Sequence, residues 1–202
     1  AVEEILQNAR NSIATAPATV FSVGQTQPQP AKYTAAHLTA LQLLLTRIGE
    51  YGLAERVQRH ALDLEVERAG GDNDVAVVEC MHFLMVILKE KKNYAGTEEV
   101  CRRLIAARTA VFGADHIDTA KTQDKLAEIL YRQYNYEAAE TAYYEALQAK
   151  EAILGSEHES TLNTMDQLVD VLRAQEKFED ANGMLQVSLE TREKILGATH
   201  PS

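Results

Sequence analysis

Histidine, cysteine and clustered carboxylates are the side chains that bind metals, move protons or attack electrophiles, so their spacing is taken first. Among six histidines, His116, His158 and His200 recur every 42 residues, inside Gly113-Ala-Asp-His116, Gly155-Ser-Glu-His158 and Gly197-Ala-Thr-His200. Residues one repeat apart in a stacked array cannot converge on one ion at bond lengths of about 2 Å. They read instead as structural members of a repeated turn. His158-Glu159 has no second His at the spacing of a zinc-protease helix. His37, His60 and His82 have no partner at ligand spacing. Cys80 and Cys101 fall on different helices and read as core thiols in a reducing compartment. There is no glycine-rich phosphate loop, dinucleotide fingerprint or nucleophile elbow. The carboxylates spread over solvated helix faces. The expectation is therefore no enzyme, no metal and no cofactor.

The elements that carry these residues come from self-similarity. In 202 residues there are only 10 glycines and 4 prolines, which favours long helices over a turn-rich β fold. Hydrophobic residues at 46% and charged residues at 25% are ordinary for a globular domain. A net charge of −10 argues against a nucleic-acid surface. No apolar run approaches the roughly 18 residues of a membrane span, and Ala1-Val2-Glu3-Glu4 opens an acidic helical pattern rather than a signal peptide. The 42-residue step also relates Leu84, Leu126 and Leu168, then Tyr94, Tyr136 and Phe178, then Thr97, Ala139 and Ala181. An N-terminal copy fits with a step of 43, through Leu41, Tyr51, Ala54, Ala61 and Gly70. Each copy holds two amphipathic runs, which predicts helix pairs over 33–70, 75–112, 117–154 and 159–196. Asp118 and Ser160 are the expected N-caps. Gly113, Gly155 and Gly197 are the expected left-handed stops of the second helices.

Outside the repeats, residues 1–14 read as a short helix with Val2, Ile5, Leu6, Ala9 and Ile13 apolar. It is either an N-terminal cap or the second helix of an earlier repeat. Residues 15–32, with Pro17, Gly24, Pro28 and Pro30, read as a loop or linker. Its apolar patch Thr19–Val23 either tucks Phe21 against the first pair or lies in a groove.

Leu126, Leu130, Tyr136, Ala139, Tyr143 and Ala146 form the pattern Leu-x3-Leu, then Tyr-x2-Ala-x3-Tyr-x2-Ala. This resembles the tetratricopeptide repeat. The longer 42-residue version, ending Arg192-Glu-Lys-Ile-Leu-Gly-Ala-Thr-His200, resembles the kinesin-light-chain class over residues 33–202. The resemblance implies an all-α, right-handed superhelical solenoid of four repeats, about 33–70, 71–112, 113–154 and 155–196, plus the start of a further one. It implies a non-catalytic interaction module that takes a peptide or protein partner in its concave groove, within a larger cytoplasmic protein. A regulatory or oligomerisation arm of a signalling ATPase is the alternative. The Asn-Asn pairs that such repeats use on peptide backbone are replaced here by Thr39-Ala40, His82-Phe83, Asp124-Lys125 and Asp166-Gln167.

With the repeated Leu as register, the resemblance places a groove set on the first helices. Copy one supplies Leu43, Thr46 and Arg47; copy two Glu79, His82, Phe83, Val86 and Lys89. Copy three supplies Lys121, Asp124, Lys125, Glu128, Tyr131 and Arg132; copy four Asn163, Asp166, Gln167, Asp170 and Arg173. Lys121, Lys125 and Arg132 read in two ways. They are a basic strip for ligand carboxylates, or members of i,i+3 pairs Asp118–Lys121, Lys121–Asp124 and Lys125–Glu128 on a solvated face. At the other end, Leu185, Val187, Leu189 and Ile195 are expected on an unfinished solenoid edge, open to self-association. Neither a nucleic-acid nor a membrane partner is expected.

Overall fold

The computed structural model describes residues 34–199. The short helix expected over 1–14, the linker over 15–32 and His200 lie outside the described residues. Eight helices follow in sequence: α1 Ala35–Arg47, α2 Tyr51–Ala69, α3 Val75–Glu90, α4 Tyr94–Phe112, α5 Ile117–Arg132, α6 Tyr136–Leu154, α7 Glu159–Ala174 and α8 Phe178–Thr199. Among the described residues there is no strand. Each helix packs chiefly on its neighbours in sequence, so the core runs as one continuous seam. The repeated Leu84, Leu126 and Leu168 are all buried. Small residues at Ala54, Thr97, Ala139 and Ala181 let helices approach closely, while Tyr143 fills a wider gap.

The helix ends revise two expectations. The N-caps are His116 and His158, not Asp118 and Ser160. Each His is extended, and its Nδ1 accepts from the backbone N–H two residues on, at 3.2 Å for Asp118 and 3.0 Å for Ser160. That satisfies one of the donors a helix start leaves open. Thr119 and Thr161 then donate their hydroxyls back to the carbonyls of Gly113 and Gly155. The repeated Gly-x-x-His turn is thus closed from both sides. Gly113 and Gly155 have positive φ but extended ψ (97° and 161°; 90° and 161°), a region essentially reserved for glycine, whereas Gly70 alone takes the left-handed cap. Gly197 does not stop its helix: α8 continues to Thr199.

A second recurring device joins the copies. Lys150 of α6, only 3% exposed, donates to the Asp124 carboxylate of α5, to the Ser160 carbonyl and to the Thr164 hydroxyl of α7. The Thr164 hydroxyl donates in turn to Asp124 at 3.0 Å. One copy earlier, Arg108 reaches the Asp118 carbonyl at 2.8 Å and the Thr122 hydroxyl. One copy later, Arg192 holds Asp166 with two nitrogens, at 3.1 and 2.6 Å. A cation on the second helix therefore recurs at 108, 150 and 192, and in the internal copies it grips the first turn of the next first helix.

The turns inside each pair share one left-handed residue: Gly49 (φ 80°), Lys92 (57°), Tyr134 (63°) and Glu176 (62°). A side chain in this region costs about 1–2 kcal/mol relative to glycine, partly offset by the entropy of a freer unfolded chain. Lys92→Gly and Glu176→Gly should each raise stability by up to about 1 kcal/mol, read as a higher urea midpoint with an unchanged slope.

Candidate functional site

The outer rows of the first helices are the face the repeats present together. One row runs Leu43, Val86, Glu128, Asp170 through the four copies, with Leu43 47% and Val86 38% exposed. The adjacent row runs Ala40, Phe83, Lys125, Gln167; Phe83 is half-buried and the others are exposed. Copies one and two therefore offer an apolar strip, and copies three and four a polar one. The first helices lie side by side along this face, since Lys89 of α3 reaches Glu128 of α5, and Thr164 of α7 reaches Asp124 of α5.

Glu128 is the centre of the polar half. It accepts from Lys89 at 2.8 Å, Lys125 at 3.3 Å and Arg132 at 3.1 Å. Burial by itself raises this carboxyl, but the hydrogen bond from Lys89, the charges of Lys125 and Lys89 and the hydrogen bond from Arg132 outweigh it and hold the group at about 2. Lys121 pairs with Asp118 at 3.6 Å. Of the two readings of Lys121, Lys125 and Arg132, the structure forms the pairs Asp118–Lys121 and Lys125–Glu128. It does not form Lys121–Asp124, because Asp124 is taken by Lys150 and Thr164.

The remaining predicted residues divide by exposure. Arg47, Glu79, Tyr131, Asn163, Gln167, Asp170 and Arg173 are exposed, while Thr46 and His82 are half-buried. Asp124 and Asp166 were placed on the outer face by register, yet both turn toward the cations of the second helices. At the same position in copy two stands His82, whose Nδ1 is buried without a hydrogen-bond partner, as is Nε of Arg108. Burial, then the Arg108 charge, hold the His82 imidazole below its ordinary range. Its neutral ring borders the apolar strip, with the Phe83 ring centroid 6.0 Å away.

Spacing did not single out Lys150, Thr122, Thr164 or Tyr134. The signal for Lys150 is its place 42 residues from both Arg108 and Arg192, a recurring cation on a face that is otherwise apolar. Tyr134 is 79% exposed and lies within 6.3 Å of Tyr136, which in turn lies 5.5 Å from Tyr131. These three rings form an aromatic lip at the turn of copy three. Cys80 and Cys101 are buried, and burial pushes the thiols up to about 11 and about 12, so both stay protonated. Among the described residues no group of three His, Cys, Asp or Glu could hold a metal ion, and no helix is long and apolar enough to cross a membrane.

A stack of paired helices with this repeated turn defines a helical-repeat solenoid. The tetratricopeptide repeat family matches over residues 85–152 and 118–194, and the chain belongs to that family. Among solved structures, BtubC (BKLC) from P. vanneervenii superposes with a TM-score of 0.71 at 18% identity, covering 99% of this chain and 76% of that one. A putative kinesin light chain with nearly identical TPR-like repeats from Podosopora anserina gives 0.69 at 17%, covering 100% and 90%. The apo form of RapI gives 0.66 at 13%, covering 93% and 62%. At these identities the likeness is one of fold, the fold of kinesin-light-chain-like repeats. No curated protein matches the chain.

Glu128 carries a pH test. Its folded value of about 2 lies below its ordinary 4.5, so the unfolded chain takes up the proton first as pH falls. The stability it contributes is complete above pH 4.5 and is lost as pH falls toward 2. Glu128→Gln should be less stable than wild type at pH 6, with the gap closing between pH 4.5 and 2 in urea titrations.

Proposed function

We propose that the chain is a non-catalytic protein–protein interaction module, the recognition part of a larger cytoplasmic protein. Tetratricopeptide repeats generally bind protein or peptide partners. In a helical solenoid of this kind the first helices line the inner surface. The observation that carries the reading is the apolar strip of exposed Leu43 and Val86 with half-buried Phe83, crossing two adjacent copies beside polar copies that supply register. The partner segment sets an apolar anchor on this strip. Lys125 and Arg132 share the Glu128 carboxylate and are about half exposed to screening solvent, so they orient the partner rather than supply most of its affinity.

Capture from lysate by wild type and by Phe83→Ala/Val86→Asp tests this. The partner should be lost in the variant, with affinity reduced about tenfold or more. It should be retained by Glu145→Lys on the second helix of copy three, and weakened only a few-fold by Lys121→Glu/Lys125→Glu. Equal binding by a folded Phe83→Ala/Val86→Asp variant would move the site off this face.

The C-terminal edge supports a second contact. Leu185 and Leu189 are 40% and 51% exposed, whereas their counterparts Tyr143 and Leu147 are 3% and 6% exposed beneath the next copy. Val187 is also exposed, and Ile195 is half-buried. Self-association through this edge should rise with concentration and disappear in Leu185→Asp/Leu189→Asp, measured by light scattering.

A further inference from the structure

The turns inside the helix pairs form a second exposed row, at the ends of the first helices. Its left-handed positions are Gly49, Lys92, Tyr134 and Glu176. Copy one uses the glycine that this backbone region favours. The other copies carry a cation, a ring and a carboxylate there, and all three are exposed. Side chains held in a disfavoured backbone region collect at functional sites, where something besides the fold retains them.

Contacts inside the protein do not account for these three side chains. In copy two the neighbouring Lys91 pairs with Glu55, and in copy four the neighbouring Lys177 pairs with Glu140 at 2.7 Å. Lys92 and Glu176 themselves form no side-chain ion pair or hydrogen bond among the described residues. Tyr134 is 79% exposed and meets the Tyr136 ring edge-on, with centroids 6.3 Å apart and planes at 82°. The order along the stack is fixed. Lys89 of α3 meets Glu128 of α5 at 2.8 Å, and Gln175, beside the turn of copy four, donates to the Tyr136 carbonyl at 3.2 Å. Consecutive turns therefore lie about one helix spacing apart, about 10 Å. An extended chain covers that step in about three residues, at about 3.3 Å each.

We infer that this edge is a second docking surface, for an extended protein segment that sets an acidic residue at Lys92, an aromatic ring at Tyr134 and a basic residue at Glu176. Charge complementarity names the two ends. Lys92 is a cation left over after Lys91 is paired, and exposed Glu179 and Asp180 follow Glu176 at the other end. The ring fits the middle, because the perpendicular Tyr134 and Tyr136 rings make a corner that a third ring fills edge to face. Exposed tyrosine is also among the residue types that dominate binding energy. The edge shares no residue with the strip of Leu43, Phe83 and Val86, so it stands apart from the first-helix face.

The test titrates the full chain with a capped synthetic heptapeptide, with Asp, Trp and Arg at its first, fourth and seventh positions and alanine between them. Backbone amide shifts follow the binding. They should saturate around Lys92, Tyr134 and Glu176 and stay flat around Phe83. Lys92→Gly/Glu176→Gly should weaken binding by about fivefold or more, even though glycine suits this backbone and the variant folds at least as stably as wild type. Tyr134→Gly should do the same. A folded Phe83→Ala/Val86→Asp protein should bind the peptide as wild type does, which keeps this edge separate from the first-helix face. Lys92→Glu should transfer preference to the peptide with Arg at both ends. Absence of saturable shifts at these turns, shifts confined to the first-helix face, or equal binding by Lys92→Gly/Glu176→Gly would overturn the inference.

Discussion

A buried ammonium group sets how copy four sits on copy three. Lys150 cannot keep its charge away from water unless its donors are all used. Its acceptors come from two copies: Asp124 from its own, and the Ser160 carbonyl and Thr164 hydroxyl from the next. Burial nevertheless pushes the Asp124 carboxyl above its ordinary range, and the bonds from Lys150 and Thr164 offset only part of that. Such a latch contributes little net stability over an apolar pair of the same size. What it supplies is register: slide the next copy by one residue and the ammonium faces the wrong atoms. Apolar packing alone, between small alanines and aliphatic residues, would discriminate less sharply among neighbouring registers.

That register has a consequence at the outer face. With Asp124 drawn inward and Asp166 engaged by Arg192, the remaining positions are a graded surface, apolar at Leu43, Phe83 and Val86 and polar from Glu128 onward. Lys89, Lys125 and Arg132 are all held by the one Glu128 carboxylate before any ligand arrives. A partner therefore meets a net cationic patch, ordered around one carboxylate, beside a dry strip. His82 makes copy two the exception in the latch series. It stands where later copies place a carboxylate, it leaves Nδ1 and the Arg108 Nε without partners, and it adjoins the apolar strip.

The fold was largely legible because its signals are periodic. The spacing of Leu84, Leu126 and Leu168 and the recurrence of Gly-x-x-His set the helix pairs to within two residues of those observed, except at the end of α8, which runs three residues further to Thr199. The caps were misassigned because side-chain preference points to Asp118 and Ser160, while the imidazole of the preceding His reaches the same N–H from two residues upstream. Gly197 resembles its counterparts in sequence, but it lies within the last turn of α8. The face was legible only by position. Which carboxylate turns in and which stays out depends on the cation one helix away. The residue type of Lys150 gives no sign of burial, since lysine is almost never fully buried unless paired.

The central claim is that the Lys150 latch, rather than apolar packing alone, fixes one copy against the next. The most direct measurement is a urea-unfolding cycle of wild type, Lys150→Met, Asp124→Leu and the double variant. Removing only the lysine strands a buried carboxylate and should cost about 3–5 kcal/mol, whereas the double variant should lie near wild type. A Lys150→Met protein within about 1 kcal/mol of wild type, with no coupling in the cycle, would contradict the account.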